Sequence, residues 1–536
     1  MLETIFLRPE TPPEEEAQQS SEPSGISKIF KRPVETAEEA PVPIPCAAKF
    51  DETKFFWAMQ NLPVSEAVKH CMICGCIGSG KTTAIDLLLQ SIAPRFLANW
   101  HRPEQLVVFD GKGDIVPKLA SWGISTKADN VWLLNPFDVR TCVWNVAEAV
   151  TEPAMARHFA NLIVPEERNS TAPFYWQSAQ ALVYAVLMAL CRIAPGKWTL
   201  RDLLLAMESR ERVEAITARH PRASIICRGV FNDKQHGPGV MSTLQTKLIR
   251  FEEVAALWHN AKSPRRFVIP EFLKKPGVLI LGYDPVFKES LWPINAMLLK
   301  ALTKVIMRGD ETRLPRHWFV LDEFRAMEKV DCMRDLLNLG RSKGAAVTLG
   351  FQSVDGLLEL YGENGTNSLL EQCTYKTFLR AGGAKTAKWA EDFINKVRYM
   401  EQSVTNTSAP SGYSTSVQYR VTDRSILSSG YFLSLDMPRP GGSFVGVHDV
   451  PSMDGFLTTR RSFEQVMSWR TRPANVPATQ YNPNLRAQEL QPWDESEEAR
   501  FFSEFAKPGT EDEKSFSSAD LPASPKDDDD PTLYSH

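Results

Sequence analysis

The chain has 536 residues, 43% of them apolar and 24% charged, and a formal net charge of −4. That length accommodates two or three domains with at least one substantial core. The balance of apolar and charged residues points away from a fibre, a repeat array or a bundle of membrane helices.

The charge is unevenly placed. Residues 1–50 carry −4 and residues 486–536 carry −9, which leaves +9 on the stretch between them. A moderately basic body suits a polyanionic partner, and it suits an ordinary surface equally well. Residues 1–50 are rich in Pro, Glu and Ser, with PVPIP at 41–45. Such a composition cannot bury enough apolar surface to offset the entropy of ordering, so a disordered tail is expected. The N-terminal MLETIFLRPETPPEEE lacks the charged-then-apolar design of a secretion signal, which predicts a cytoplasmic protein.

KHCMIC (69–74) reads as a buried strand, and TTAIDLLLQSI as the helix that follows. Between them GCIGSGKT, Gly75 to Thr82, satisfies GxxxxGK[ST] in full. The glycines let successive amide N–H groups face phosphate oxygens, and the helix N-terminus adds partial positive charge. This assigns Gly75, Gly78, Ser79, Gly80, Lys81, Thr82 and Thr83 to nucleotide binding. Lys81 would reach the β- and γ-phosphates of ATP, and Thr82 would ligate Mg²⁺. Cys71, Cys74 and Cys76 form a CxxCxC run, but no second ligand pair follows at zinc spacing. They read as small hydrophobes of the strand region.

LVVFD (106–110) and VWLLNPF (131–137) are the next strands. From about 145 to 265 the strand pattern lapses and helical periodicity replaces it. FYWQSAQALVYAVLMALCRI, TLRDLLLAMESRERVEAI (with Thr199 as N-cap) and VMSTLQTKLIRFEEVAAL are the clearest segments. They predict an all-helical domain, 146–265, inserted between two parts of an α/β domain, 51–145 and 266–470. The longest apolar run, ALVYAVLMALC at 181–191, is about half what a bilayer requires and reads as a core helix. Beyond it, GVLILGYD (277–284), a helix near 288–308, HWFVLD (317–322), AAVTLGFQ (345–352), YKTFLR (375–380) and GSFVGVHD (442–449) resume the alternation. Residues 471–536, ending in KDDDDPTLYSH, read as a disordered acidic tail. The fold class is therefore α/β with a mostly parallel sheet covered on both faces, its site at the carboxyl ends of the strands.

Two acids end the strand HWFVLD: Asp322 suits the Mg²⁺ shell, and Glu323 suits polarisation of a water for attack on the γ-phosphate. Their bland reading is a strand end entering a turn. LLNLGRSKGAAVTLGFQS follows. Gln352 at its strand tip is either a γ-phosphate sensor or a strand cap. Arg341 in its basic turn is either an arginine finger for a neighbouring subunit or a solvated surface residue.

The ordered set of GxxxxGK[ST], LDEF, LGRSKG and a strand-end FQS, over roughly residues 65–450, resembles the TraD/TraG/TrwB coupling proteins of type IV secretion. VVFDGKGD (107–114) and LLNPFD (133–138) resemble the same family's second and third strand ends. The resemblance implies a hexameric RecA-like ATPase related to the FtsK/HerA pumps, with DNA in its central channel and little sequence specificity. Carried over residue by residue, Lys81 and Thr82 bind nucleotide and Mg²⁺, and Asp322 and Glu323 support hydrolysis. Arg341 becomes a trans-acting finger, and Gln352 a γ-phosphate sensor. Implied partners are a relaxase and the channel's ATPase or membrane components. The family usually begins with transmembrane helices and none is evident here, so inner-membrane contact would come through partners. Two further readings share parts of this evidence: a soluble HerA/FtsK-type translocase unrelated to secretion, and a protein-recruiting ATPase adaptor.

Overall fold

The computed structural model describes residues 50–167, 172–233, 235–261, 265–394, 396–409, 412–451, 456–481 and 488–502. The expected N-terminal tail, apart from Phe50, and most of the C-terminal one lie outside these residues.

Fifteen strands are described. A hairpin, β1 (Lys54–Trp57) and β2 (Gln60–Pro63), precedes β3 (Cys71–Cys74), β4 (Gln105–Asp110) and β5 (Val131–Leu134). The short β6 (Val143–Trp144) and β7 (Arg266–Phe267) pair with each other. Then come β8 (Gly277–Gly282), β9 (Thr312–Leu321), β10 (Lys343–Phe351) and β11 (Tyr375–Phe378). β12 (Lys396–Ala409) and β13 (Gly412–Ser425) form a separate long hairpin, and β14 (Ser443–Asp449) and β15 (Phe456–Ser462) close the series.

Nine strands make one sheet in the order β15-β14-β11-β3-β10-β9-β4-β8-β5. β11, β3, β10, β9, β4, β8 and β5 run parallel, and β14 and β15 run antiparallel along one edge. The parallel strands are apolar on both faces because helices cover both. Every residue of β3, β4, β5, β8 and β11 is buried. Register then fixes the site. Leu321 lies opposite Phe109 and Leu349, and Phe351 lies opposite Cys74. The residues that follow these strands therefore emerge side by side at one edge.

The helical segment leaves and re-enters the α/β body beside the β6–β7 pair, where Val143 N–H donates to Arg265 O at 2.8 Å. Helix Leu200–Ala206 begins at a reciprocal cap: Thr199 N–H donates to Asp202 Oδ2 and Asp202 N–H to Thr199 Oγ1. The expected helix through TLRDLLLAMESRERVEAI is two helices, because Ser209 caps a second one, Arg210–Thr217. Helix Pro173–Ile193 is a core helix, as expected, with Leu182, Val183, Val186, Leu187 and Leu190 fully buried. At 21 residues it is long and apolar enough to cross a bilayer by length and composition, with half of its most apolar stretch buried among its neighbours.

The tail expectation from residue 471 also requires correction. Arg470 Nη2 donates to the buried Asp86 at 2.6 Å, and Thr471 N–H to Gln90 Oε1. The strap continues with Ala474 N–H on Pro117 O, Gln480 O accepting from Val139 N–H, and the Tyr481 hydroxyl on Asp284 at 2.7 Å. These bonds replace water at each step, which polar composition alone does not reveal. The described residues 492–502 belong to a separate unit, in which helix Glu495–Phe502 packs Phe501 on Trp493.

Two histidines are buried in the sheet as neutral rings. His70 accepts from Val347 N–H at 3.2 Å and bonds Leu337 O at 2.9 Å. His448 lies between the hydroxyls of Thr377 and Thr459. Burial pushes His70 down to about 4 and His448 to about 3. The unfolded chain therefore binds these protons first, and the stability they contribute is present above pH ~6.5 and is lost as pH falls toward those values. We expect urea unfolding to show a loss of about 2 kcal/mol per histidine between pH 7 and pH 5, offset in part by Asp110, whose carboxyl is pushed up to about 6 by burial. His448→Gln should remove one share. A His448→Gln profile that falls as steeply as the wild type's would contradict the burial of that ring.

Candidate functional site

The P-loop bends as its composition requires. Gly78 and Gly80 have φ of +80° and +98°, a region unfavourable to residues with a Cβ. A side chain at 75 would collide with the Ser79 hydroxyl, which is buried and has no hydrogen-bond partner among the described residues. An orphaned hydroxyl in a glycine loop that leads into a helix N-terminus fits a phosphate ligand. Helix Lys81–Ile92 starts at Gly80 and carries Lys81, Thr82 and Thr83 in its first turn.

Lys81 Nζ lies 2.9 Å from Asp322 Oδ1 and 2.5 Å from Glu323 Oε1. Asp322 and Glu323 follow β9, one strand beyond β10, and the intervening Gly350 makes this approach feasible. A Cβ there would sit 2.9 Å from Asp322 Oδ1. Glu323 holds a left-handed backbone, φ 57° and ψ 49°, with its N–H donating to Asp322 Oδ1 at 3.0 Å. A non-glycine residue held there is a local strain of the kind that concentrates at functional sites. Gln352, just after β10, donates from Nε2 to Glu323 Oε2 at 2.9 Å. A polar cavity of about 460 Å³ borders Glu323 and Gln352 and is lined also by Tyr283, Lys288 and Arg325.

One residue that the sequence reading left without a role joins this group. Lys112, in the turn after β4, donates from Nζ to Thr82 Oγ1 at 2.5 Å and to Asp322 Oδ2 at 2.8 Å. Its signal was the GKGD of VVFDGKGD. Burial works against ionisation of Asp322, but Lys81 and Lys112 outweigh it and hold the carboxyl below its ordinary range. Burial likewise opposes the charge on Lys112, and Asp322 and Glu323 overcome it and raise its pKa. Thr82 and Asp322 thus converge on one cationic point with hard oxygen donors. That donor set fits Mg²⁺.

Arg341 stands apart. It lies in the turn Gly340–Ser342 at the opposite end of β10 from Gln352. Nine strand residues separate the two ends, or about 30 Å. Arg341 therefore cannot reach the P-loop of its own chain without unfolding the sheet. Arg265 is committed to the backbone: its guanidinium donates to Ala128 O, Val131 O and Asp129 O. Cys71 and Cys74 are buried in β3.

With this geometry in place, comparison with known proteins is decisive. The family described as type IV secretion-system coupling protein DNA-binding domain matches residues 57–444. The chain belongs to that family. The coupling-protein VirD4 of Bartonella henselae is 23% identical over 334 residues, covering 58% of this chain and 51% of the relative. That of Bartonella quintana is 26% identical over 341 residues, with the same coverage. The chain thus spans about half the length of these curated relatives. Among solved structures, unbound TrwBdeltaN70, a bacterial conjugative coupling protein, superposes with a TM-score of 0.60 at 17% identity, covering 81% of this chain and 92% of that one. The plasmid coupling protein TrwB in complex with ADP and Mg²⁺ gives 0.58 at 16% identity, covering 82% and 95%. At such identities the likeness establishes the shared fold.

Gln352 bonds Glu323 and, among the described residues, no residue of the P-loop, so its loss should fall on turnover and spare binding. Gln352→Ala is expected to lower kcat roughly 10²-fold with nucleotide affinity unchanged. Equal losses in kcat and affinity, read by steady-state kinetics and fluorescent-nucleotide titration, would count against this role.

Proposed function

We propose that the chain is an ATP-hydrolysing motor that moves DNA and couples a relaxase–DNA substrate to a type IV secretion or conjugation channel. The observation that carries this reading is the meeting of Lys81, Thr82, Asp322, Glu323 and Gln352 at one sheet edge. A nucleotide switch needs the first three. A carboxylate base held by an amide suits hydrolysis.

In this reading ATP phosphates draw Lys81 away from the two carboxylates, and the P-loop amides take the β-phosphate. Thr82 and Asp322 would hold Mg²⁺, which supplies charge neutralisation at the phosphate oxygens. Freed of Lys81, Glu323 accepts a proton from the attacking water while Gln352 keeps its carboxylate in place. Arg341, out of reach in its own chain, serves the site of a neighbouring subunit in a homo-hexamer and stabilises charge developing on the transferred phosphoryl group. The family's description as a DNA-binding domain supports DNA as the substrate. Contacts to DNA would fall mainly on phosphates and be salt-sensitive. Attachment at the inner membrane would come through channel partners.

The test is steady-state ATP hydrolysis at low salt with and without single- and double-stranded DNA, using Glu323→Gln as the blank. DNA should stimulate turnover severalfold, Lys81→Ala should abolish it, and Glu323→Gln should bind ATP without hydrolysing it. Hydrolysis indifferent to DNA would replace this reading with a protein-handling ATPase.

A further inference from the structure

Lys112 is held by a turn built for it. Asp110, almost fully buried at the end of β4, accepts from the N–H groups of Asp114 at 2.9 Å and Ile115 at 3.2 Å. This fixes the turn at the start of helix Ile115–Ser121. Gly111 packs so closely that a Cβ would lie 2.9 Å from the Phe109 ring and 3.3 Å from Asp322 O. Gly113 supplies φ +67°. Between the glycines only Lys112 has a long side chain, and its ammonium lies 2.5 Å from Thr82 Oγ1, 2.8 Å from Asp322 Oδ2 and 3.5 Å from Glu323 Oε1.

We propose that Lys112 is a tethered cation that occupies the metal position of the nucleotide-free subunit and must be displaced by the metal–nucleotide complex. The inference rests on Thr82 and Asp322 being the Mg²⁺ ligands. Its physical basis is exclusion. An ammonium and a divalent ion repel strongly at such separations, so both cannot share these oxygens. Mg²⁺ also surrenders its water reluctantly. Free metal therefore gains too little here to evict Lys112, whereas metal already chelated by ATP brings phosphate charge that compensates the displaced ammonium. Lys112 thereby makes metal entry conditional on nucleotide, and it keeps Asp322 and Glu323 neutralised between turnovers.

The experiment measures Mn²⁺ binding to nucleotide-free full-length protein by electron paramagnetic resonance of the free ion. Wild type should leave Mn²⁺ free. Lys112→Met and Lys112→Gln should each bind about one Mn²⁺ per subunit, at least roughly tenfold tighter than wild type. The double variant Lys112→Met with Asp322→Asn should lose that ion. Two neutral substitutions guard against one failing to fold, which circular dichroism monitors. The proposal is overturned if both variants leave Mn²⁺ as free as wild type does, or if wild type binds it equally well. Failure of the underlying assignment looks different: Asp322→Asn alone would then bind Mn²⁺–ATP with undiminished metal dependence.

Discussion

Two adjacent carboxylates at the tip of a buried parallel strand carry a desolvation cost that a folded chain must answer locally. Here the answer is a pair of ammonium groups, Lys81 from the P-loop and Lys112 from the turn after β4, each in contact with Asp322 and Glu323. Much of the surrounding structure follows from bringing these four charges together. Gly350 vacates the space beside Asp322, Gly111 lets a turn press against it, and Glu323 adopts a left-handed backbone beside its neighbour. The charge balance also sets the chemistry. The two lysines and two carboxylates pair with one another, and an anionic ligand would compete for the same lysines.

The sheet separates two functions by its own dimensions. Lys81, Lys112, Asp322, Glu323 and Gln352 lie beyond the carboxyl ends of β3, β4, β9 and β10, and Arg341 lies before the start of β10. A parallel sheet is stiff along its strands, so this separation of about 30 Å does not close by local motion. With that spacing, the proposed arginine finger would have to act on the site of a second subunit. The strap through residues 470–481 adds a second constraint. It ties Asp86 of the P-loop helix to the ends of β5 and β8 through Arg470 and Tyr481.

Much of this was legible in the sequence, for identifiable reasons. Buried parallel strands are continuous apolar runs, so KHCMIC, LVVFD, GVLILG and HWFVLD announced themselves. The P-loop and the Asp322–Glu323 pair carry their chemistry in contiguous residues, and Thr199 displayed its capping pattern. What escaped depends on tertiary context. Segments 396–409 and 412–425 are rich in Thr, Ser, Val and Tyr, yet alternate with charged and polar residues and offered no apolar run. The 470–481 strap is polar and proline-containing, and only its backbone partners distinguish it from a loose tail. Lys112 lay inside a recognised motif, but its role depends on a strand crossing that sets it beside residues some 210 positions away.

The account stands or falls on Arg341 acting between subunits. The direct test is ATP hydrolysis by rings co-assembled from equal amounts of Arg341→Ala and Lys81→Ala chains, each inactive alone. Roughly a quarter of interfaces would then join an intact P-loop to an intact arginine, and measurable turnover should return. Mixed rings that remain as inactive as their parents would contradict the trans assignment and leave the arginine a structural residue of the far sheet edge.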